Sequence, residues 1–217
     1  MKYSAIIWDF DGTLFDTYPL MSRAMTDALA ALGVEAAFSQ VYRLFKQSKY
    51  HVAEYYARYG VEQDALFAQY QAASKRLQQE GLSMVKPYPH VLELVRCVAR
   101  AGGSNYIFTH RGDSIWDFLR HFDLLDCFVD VVCQKDGFAR KPSPQGNAYI
   151  LKTHGVNPAS AIAVGDRELD ILAGKGAGMS ACLFVEQGPT PPTAADAVIR
   201  DFSELYPILG LPQETVG

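Results

Sequence analysis

Ile6-Ile7-Trp8-Asp9-Phe10-Asp11-Gly12-Thr13-Leu14-Phe15-Asp16 is the stretch around which this chain is organised. An apolar run ends in two carboxylates two residues apart, followed by a glycine. A strand that leaves a core and turns sharply places Asp9 at its carboxyl end. The side-chain period of two would point Asp9 and Asp11 the same way if Asp11 were still extended. Gly12 and Thr13 mark a chain already turning, so both carboxylates belong at a loop rim. Two carboxylates this close repel unless a positive charge lies beside them. Magnesium suits the position, since it prefers oxygen ligands and is usually held by one or two carboxylates plus phosphate oxygens. One aspartate can then attack phosphorus while the other handles protons. In isolation the motif is explained equally well by a loop with two solvated aspartates. A calcium loop is disfavoured by the preceding strand, by the lack of Asp or Asn at the next ligand position, and by the lack of a closing Glu.

Downstream of this loop the pattern is helical from about Tyr18 to Met84. Met21, Ala24, Met25, Ala28, Leu29 and Leu32 recur at helical spacing, with Gly33 as terminator. Further helices are expected over 38–47, 50–59 and 63–79, and no convincing strand interrupts them. Directly after the aspartate loop, this reads as a helical domain (17–85) inserted into another domain (1–16 and 86–217). Pro87 and Pro89 mark the return.

From there helices and strands alternate. Helices are expected over 89–101, 114–122, 143–154 (with Ser143 and Pro144 as its start), 168–175 and 203–208. Strands are expected over 105–108, 128–132, 161–164, 180–185 and 197–199. Such alternation implies an α/β domain with a parallel sheet covered on both faces. Ligands of such sheets bind outside the carboxyl ends of the strands. The residues just past those ends are Asp9 and Asp11, then Thr109, His110 and Arg111. The Arg140-Lys141-Pro142-Ser143-Pro144 run and Gly165-Asp166 with Asp170 complete the set. Alone, Thr109 reads as a helix cap, Lys141 as a surface lysine, Asp166 as a cap and Asp170 as a surface charge. Together they supply what phosphoryl transfer needs: carboxylates, a hydroxyl and an ammonium group.

Composition sets the outer bounds. The 217 residues suffice for a substantial core, and 49% apolar with 20% charged residues is ordinary for a globular protein. A net charge of −4 gives no reason to expect nucleic acid or an anionic membrane as partner. Cys97, Cys127, Cys133 and Cys182 form no zinc spacing and read as buried free thiols. The amino-terminal residues do not read as a signal peptide, no apolar run approaches membrane-spanning length, and a cytoplasmic location is expected. Oligomeric state is left open.

These motifs carry a resemblance. The chain resembles the haloacid dehalogenase superfamily, in its phosphoglycolate-phosphatase-like branch with a helical cap. The resemblance rests on Asp-Phe-Asp-Gly-Thr at 9–13, Thr109, Lys141-Pro-Ser-Pro, Gly-Asp-Arg-Glu-Leu-Asp at 165–170 and Ala-Gly-Lys-Gly-Ala-Gly at 173–178. These span nearly the whole chain in the family's order. The resemblance implies a doubly wound, Rossmann-like core with an all-helical cap inserted at 17–85. It implies Asp9 as a nucleophile forming an aspartyl-phosphate. Asp11 would be the acid and then the base, offering its backbone carbonyl to Mg2+. Thr109 and Lys141 would hold the transferring phosphoryl oxygens. Asp166 would ligate the metal and Asp170 would support that site. Family dehalogenases lack the second aspartate and need no metal, so Asp11 implies phosphate chemistry here. His110 stands where asparagine is frequent and is a candidate substrate contact. Gln145 stands where an acid is common.

Specificity is expected in the cap, with Arg43, Lys46, Lys49, Tyr50 and His51 as candidates. Arg111 is a candidate for a substrate carboxylate. The leading expectation is a magnesium-dependent phosphatase acting on a small phosphomonoester. The alternatives are a sugar phosphomutase, which would share the core and differ in the cap, and a non-catalytic binding or regulatory protein, against which the intact set of Asp9, Asp11, Lys141 and Asp166 counts.

Overall fold

Every residue of β1 (Ala5–Trp8) is buried, as expected for an apolar run without alternation. The structure, a computed structural model, describes residues 1–82 and 85–212. Met84 and residues 213–217, which fall within the expected helical segment and core, lie outside these. The remaining strands are β2 (Phe15–Asp16), β3 (Lys86–Pro87), β4 (Ser104–Phe108), β5 (Phe128–Val132), β6 (Ala161–Gly165), β7 (Ser180–Phe184) and β8 (Ala197–Ile199). Six of them form one parallel sheet in the order β5-β4-β1-β6-β7-β8. This is the doubly wound α/β class read from the alternation. β2 and β3 pair separately. At two residues each, they are too short for any periodicity to announce.

β1 lies between β4 and β6, where the strand order reverses. Ala5 stands opposite both Ser104 and Ala161, and Trp8 opposite both Ile107 and Val164. With the three strands in step, they run out together, and the residues just beyond them share one rim. That is the topological switch point at which such sheets bind ligands.

The chain divides into two compact units, Met1–Phe15 with Pro87–Gly217, and Asp16–Lys86. The second contains α1 (Tyr18–Ala31), α2 (Phe38–Gln47), α3 (Lys49–Ala57) and α4 (Gln63–Gly81). Its core is Met25, Leu29, Val41, Phe45, Val52, Tyr56 and Leu66 with their neighbours. Gly33 ends α1 region with φ of 79°, as a glycine terminator should.

In the first unit, Ile7, Tyr106, Phe108, Ala163 and Leu183 on the sheet pack with Ile150 and Ile171. The last two belong to α7 (Gln145–Thr153) and α8 (Glu168–Gly176). Gly174 allows this closeness, since a Cβ there would lie 2.5 Å from the Cβ of Ala163. Trp8 points to the other face by the strand period. Its indole Nε1 donates to Asn105 Oδ1 at 2.9 Å, and Asn105 Nδ2 donates to the carbonyls of Val95 and Cys127. One buried amide thereby ties β1 and β4 to α5 (Val91–Arg100). α6 (Ile115–His121) and α9 (Leu205–Leu209) complete the unit.

Several boundaries differ by a residue or two from the sequence reading, and two of these differences have a local cause. α7 begins at Gln145 with Pro144 as its cap residue, and Ser143 Oγ instead accepts from the Gln145 N–H at 3.4 Å. The expected helix at 203–208 is a short 3-10 turn, Phe202–Glu204, running into α9. Asp201 and Glu204 cap that turn reciprocally and tighten its start. Cys97, Cys133 and Cys182 are buried free thiols and Cys127 is half-buried. No described helix is long and apolar enough to cross a membrane.

Candidate active site

Asp9 is the first residue past β1, and its N–H still donates to the Val164 carbonyl at 2.8 Å. The chain then turns. Leu14 N–H donates to the Phe10 carbonyl, Gly12 N–H to the Phe15 carbonyl, and Gly12 adopts φ of 85°. A left-handed residue is needed there, and glycine adopts it without a Cβ clash.

Lys141 reaches the same place from the loop after β5. Its Nζ donates to Asp9 Oδ1 at 2.6 Å and to Asp170 Oδ1 at 2.8 Å. All three side chains are 3–4% exposed. The ammonium also lies 4.9 Å from the centroid of the Phe108 ring. Asp170, in the first turn of α8, accepts from the Arg167 N–H through Oδ2 at 3.1 Å. Gly165 makes room for it, because a Cβ there would sit 2.3 Å from the Asp170 Cβ. Asp166 follows β6 directly. Asp9, Asp166 and Asp170 each offer a carboxylate oxygen, all within 4.8 Å of one another. Thr13, fully buried, places its Oγ1 3.5 Å from both Asp9 Oδ2 and Asp166 Oδ1.

Two of these carboxylates, Asp9 and Asp170, share one buried ammonium, and Arg167 Nε lies 3.9 Å from the third, Asp166, at the edge. Burial, with Asp170 adding to it, outweighs Lys141 and Arg167 and raises the Asp9 carboxyl from its ordinary 3.8 to about 6. Burial opposes the charge on Lys141, but Asp170 and Asp9 outweigh it and hold the ammonium above its ordinary value. An all-oxygen donor set with excess negative charge fits a hard divalent cation such as Mg2+.

Thr109 closes β4, its N–H donating to the Val132 carbonyl at 2.9 Å. Its Oγ1 accepts from the Arg111 N–H at 3.1 Å. His110 Nε2 accepts from the Lys141 N–H at 3.1 Å, which leaves its ring proton on Nδ1. Burial, reinforced by Lys141, Arg140 and Arg167, pushes this imidazole down to about 3. It is therefore neutral at any physiological pH and serves as an acceptor.

Asp11 is not a member of the acidic group. Its carboxylate pairs with Arg111, whose Nε lies 3.0 Å from Oδ1 and 3.3 Å from Oδ2 and whose Nη2 also donates to Oδ1. Sequence reading named both residues and could not pair them, because 100 positions separate them. Thr13 and Arg167 were visible only as parts of motifs, with nothing in their spacing to mark contacts with the carboxylates.

The expected specificity residues lie around the α2–α3 junction in contacts within the helical unit. Ser48 Oγ lies 2.7 Å from His51 Nδ1. Lys46 sits over Tyr42 and Tyr18, and Lys49 over Phe67 and Tyr50. None of them lines the cleft of about 590 Å3 within the helical unit, whose walls include Arg23, Asp27, Phe38 and Arg76.

Fold and rim together define an α/β protein with aspartates clustered at the carboxyl ends of central parallel strands. The chain belongs to the haloacid dehalogenase-like hydrolases, the family pattern that matches residues 6–184. A phosphoglycolate phosphatase of Rhodospirillum rubrum is 29% identical over 223 residues, covering 96% of this chain and 92% of the relative. A predicted phosphoglycolate phosphatase from Haemophilus somnus has the same fold, with a TM-score of 0.83 at 19% identity over 96% of this chain and 98% of that one. CbbY from Rhodobacter sphaeroides, solved in complex with phosphate, has a TM-score of 0.77 at 24% identity over 94% and 96% of the two chains. Within its family the chain is a phosphatase resembling the phosphoglycolate phosphatases.

Proposed function

We propose that this protein is a magnesium-dependent phosphatase that hydrolyses a small phosphomonoester through an aspartyl-phosphate. The observation that carries this reading is Lys141 Nζ, buried between Asp9 and Asp170 at 2.6 and 2.8 Å, beside Asp166. A nucleophilic carboxylate and a cation for phosphoryl oxygens then occupy one rim. The R. rubrum relative, named a phosphoglycolate phosphatase, supports a small phosphorylated acid as substrate.

Asp9, Asp166 and Asp170 would hold Mg2+, with the backbone carbonyl of Asp11. When bound, the ion supplies charge neutralisation for the transferring phosphoryl group. The chain's own residues do the rest. Lys141 and Thr109 hold phosphoryl oxygens, and His110 acts through the Lys141 backbone that it braces. Asp9 attacks phosphorus; the phosphorus–oxygen bond to the leaving group breaks with its electron pair, and Asp11 gives that oxygen a proton. Water then attacks the aspartyl-phosphate. Asp11 takes the water's proton, the Asp9–phosphorus bond breaks, and inorganic phosphate leaves. The inserted helical unit would serve as the cap that sets specificity. A small-molecule partner and a cytoplasmic location go with this reading.

The test is phosphate release from a panel of phosphorylated metabolites with and without EDTA, run beside Asp9→Asn. The expected result is turnover that EDTA removes and Mg2+ restores, and none from the variant. Hexose 1-phosphate isomerisation stimulated by a bisphosphate would turn the reading to a mutase. Folded protein with no metal-dependent turnover on any ester would overturn it.

A further inference from the structure

Asp11 is held by a guanidinium that is itself immobilised. Arg111 Nη1 donates to Ser114 Oγ at 3.1 Å. Its charged carbon lies 4.9 Å from the Phe118 ring centroid and 5.3 Å from that of Phe10. Its side chain is 6% exposed, against 15% for Asp11. The fork that meets Asp11 is bidentate, the geometry in which arginine recognises planar anions. In this arrangement Asp11 serves only as an acceptor. To reach a leaving-group oxygen it must give up the guanidinium, and a guanidinium left alone in so enclosed a place would be costly.

The acid of this reaction has to come within hydrogen-bond reach of the leaving oxygen. Arg111 Nε is 3.0 Å from the Asp11 carboxylate. Atoms one or two bonds beyond the leaving oxygen therefore fall within range of the same fork. A carboxylate carried there would replace Asp11 as the planar anion on Arg111.

We propose that Arg111 is a specificity-determining residue in addition to the cap: it exchanges Asp11 for a carboxylate of the substrate and so releases Asp11 to the leaving group. Among the small phosphorylated acids of the proposed function, such an exchange selects those whose carboxylate lies one or two bonds from the ester oxygen. An ester without that second anion leaves Asp11 on Arg111 and is a poor substrate. The mechanistic half of this inference rests on the phosphatase reading above. The binding half does not.

Two measurements separate them. The first is the ratio of kcat/KM for 2-phosphoglycolate to that for ethyl phosphate, in the parent protein and in Arg111→Gln. Parent protein is expected to favour the carboxylated ester, and the variant to lose about 10- to 100-fold of that ratio, the range for a hydrogen bond to a charged group. The second is calorimetric binding of the same two esters to Asp9→Asn with Mg2+, with and without Arg111→Gln, which needs no turnover. The preference for 2-phosphoglycolate is expected in Asp9→Asn and absent in the double variant. Arg111→Lys keeps the charge without the planar fork, and is measured in both assays in case Arg111→Gln does not fold. A ratio and a binding preference unchanged by either variant overturn the proposal, as does a parent protein indifferent to the carboxylate. Loss of binding preference in a protein that releases no phosphate would sink the phosphatase reading and leave the anion site standing.

Discussion

Replacing Lys141 with Met removes the one ammonium that Asp9 and Asp170 share while keeping most of the side chain's volume. Both carboxylates are buried, with side chains 3% and 4% exposed. Removing one partner of a buried ion pair typically costs about 3–5 kcal/mol, because the other charge is left uncompensated. Asp9 can escape part of that cost by taking up a proton. In the parent protein Asp9 already titrates at about 6 against an ordinary 3.8, a difference on the order of 3 kcal/mol. The native state therefore binds this proton more tightly than the unfolded chain does. Its contribution makes the fold less stable as pH rises through that window, the reverse of a salt-bridged carboxylate. Without Lys141 the Asp9 carboxyl moves higher still. The variant should fall behind the parent by about 3–5 kcal/mol at pH 8 and by clearly less at pH 5, where Asp9 is protonated. A divalent cation supplies the missing positive charge, so Mg2+ should recover much of the loss. The assay is urea unfolding at pH 5 and pH 8, with EDTA and with Mg2+. A loss of equal size at both pH values, indifferent to Mg2+, would refute the electrostatic account. It would leave changed packing of the side-chain stem as the cause.

Gly165→Ala should displace the Asp170 side chain, since the new Cβ would meet its Cβ at 2.3 Å. The expected outcome is about 1–3 kcal/mol of destabilisation from overpacking, read by denaturant unfolding, together with Mg2+ affinity weakened by about 10- to 100-fold, read by calorimetry. His110→Phe leaves the Lys141 N–H without its acceptor and should cost about 1–3 kcal/mol. His110→Gln, which restores an acceptor, should recover part of it. Because His110 titrates at about 3, neither variant should shift the pH–activity profile above pH 5. The acid limb of kcat/KM at low Mg2+ should fall below about pH 6, where Asp9 takes a proton and loses its nucleophilic form. Metal and proton compete for that carboxylate, so raising Mg2+ should move the limb to lower pH. A limb insensitive to Mg2+ would exclude Asp9 as its source.

Much of the architecture was legible in the chain itself. β5, β8 and α2 occupy the spans expected of them, and β1 falls within the apolar run before Asp9. Periodicity and helix-ending glycines are local signals, and local forces decide them. The same holds for the carboxylates themselves, because Asp9, Asp166 and the loop bearing Lys141 each announce a strand's end. Which groups meet at those ends depends on strand order and register. β1 between β4 and β6 brings Asp9 beside Asp166 and Thr109, and no local pattern encodes that order. Asp11 shows the gap most clearly. Its spacing from Asp9 suggested two carboxylates on one ion, whereas the fold gives it to Arg111. His110, read as a substrate contact, holds the Lys141 backbone. The types of the reacting groups follow from the sequence, since chemistry belongs to side chains. Their partners follow only from the tertiary structure, since pairing across 100 or more positions is decided by packing.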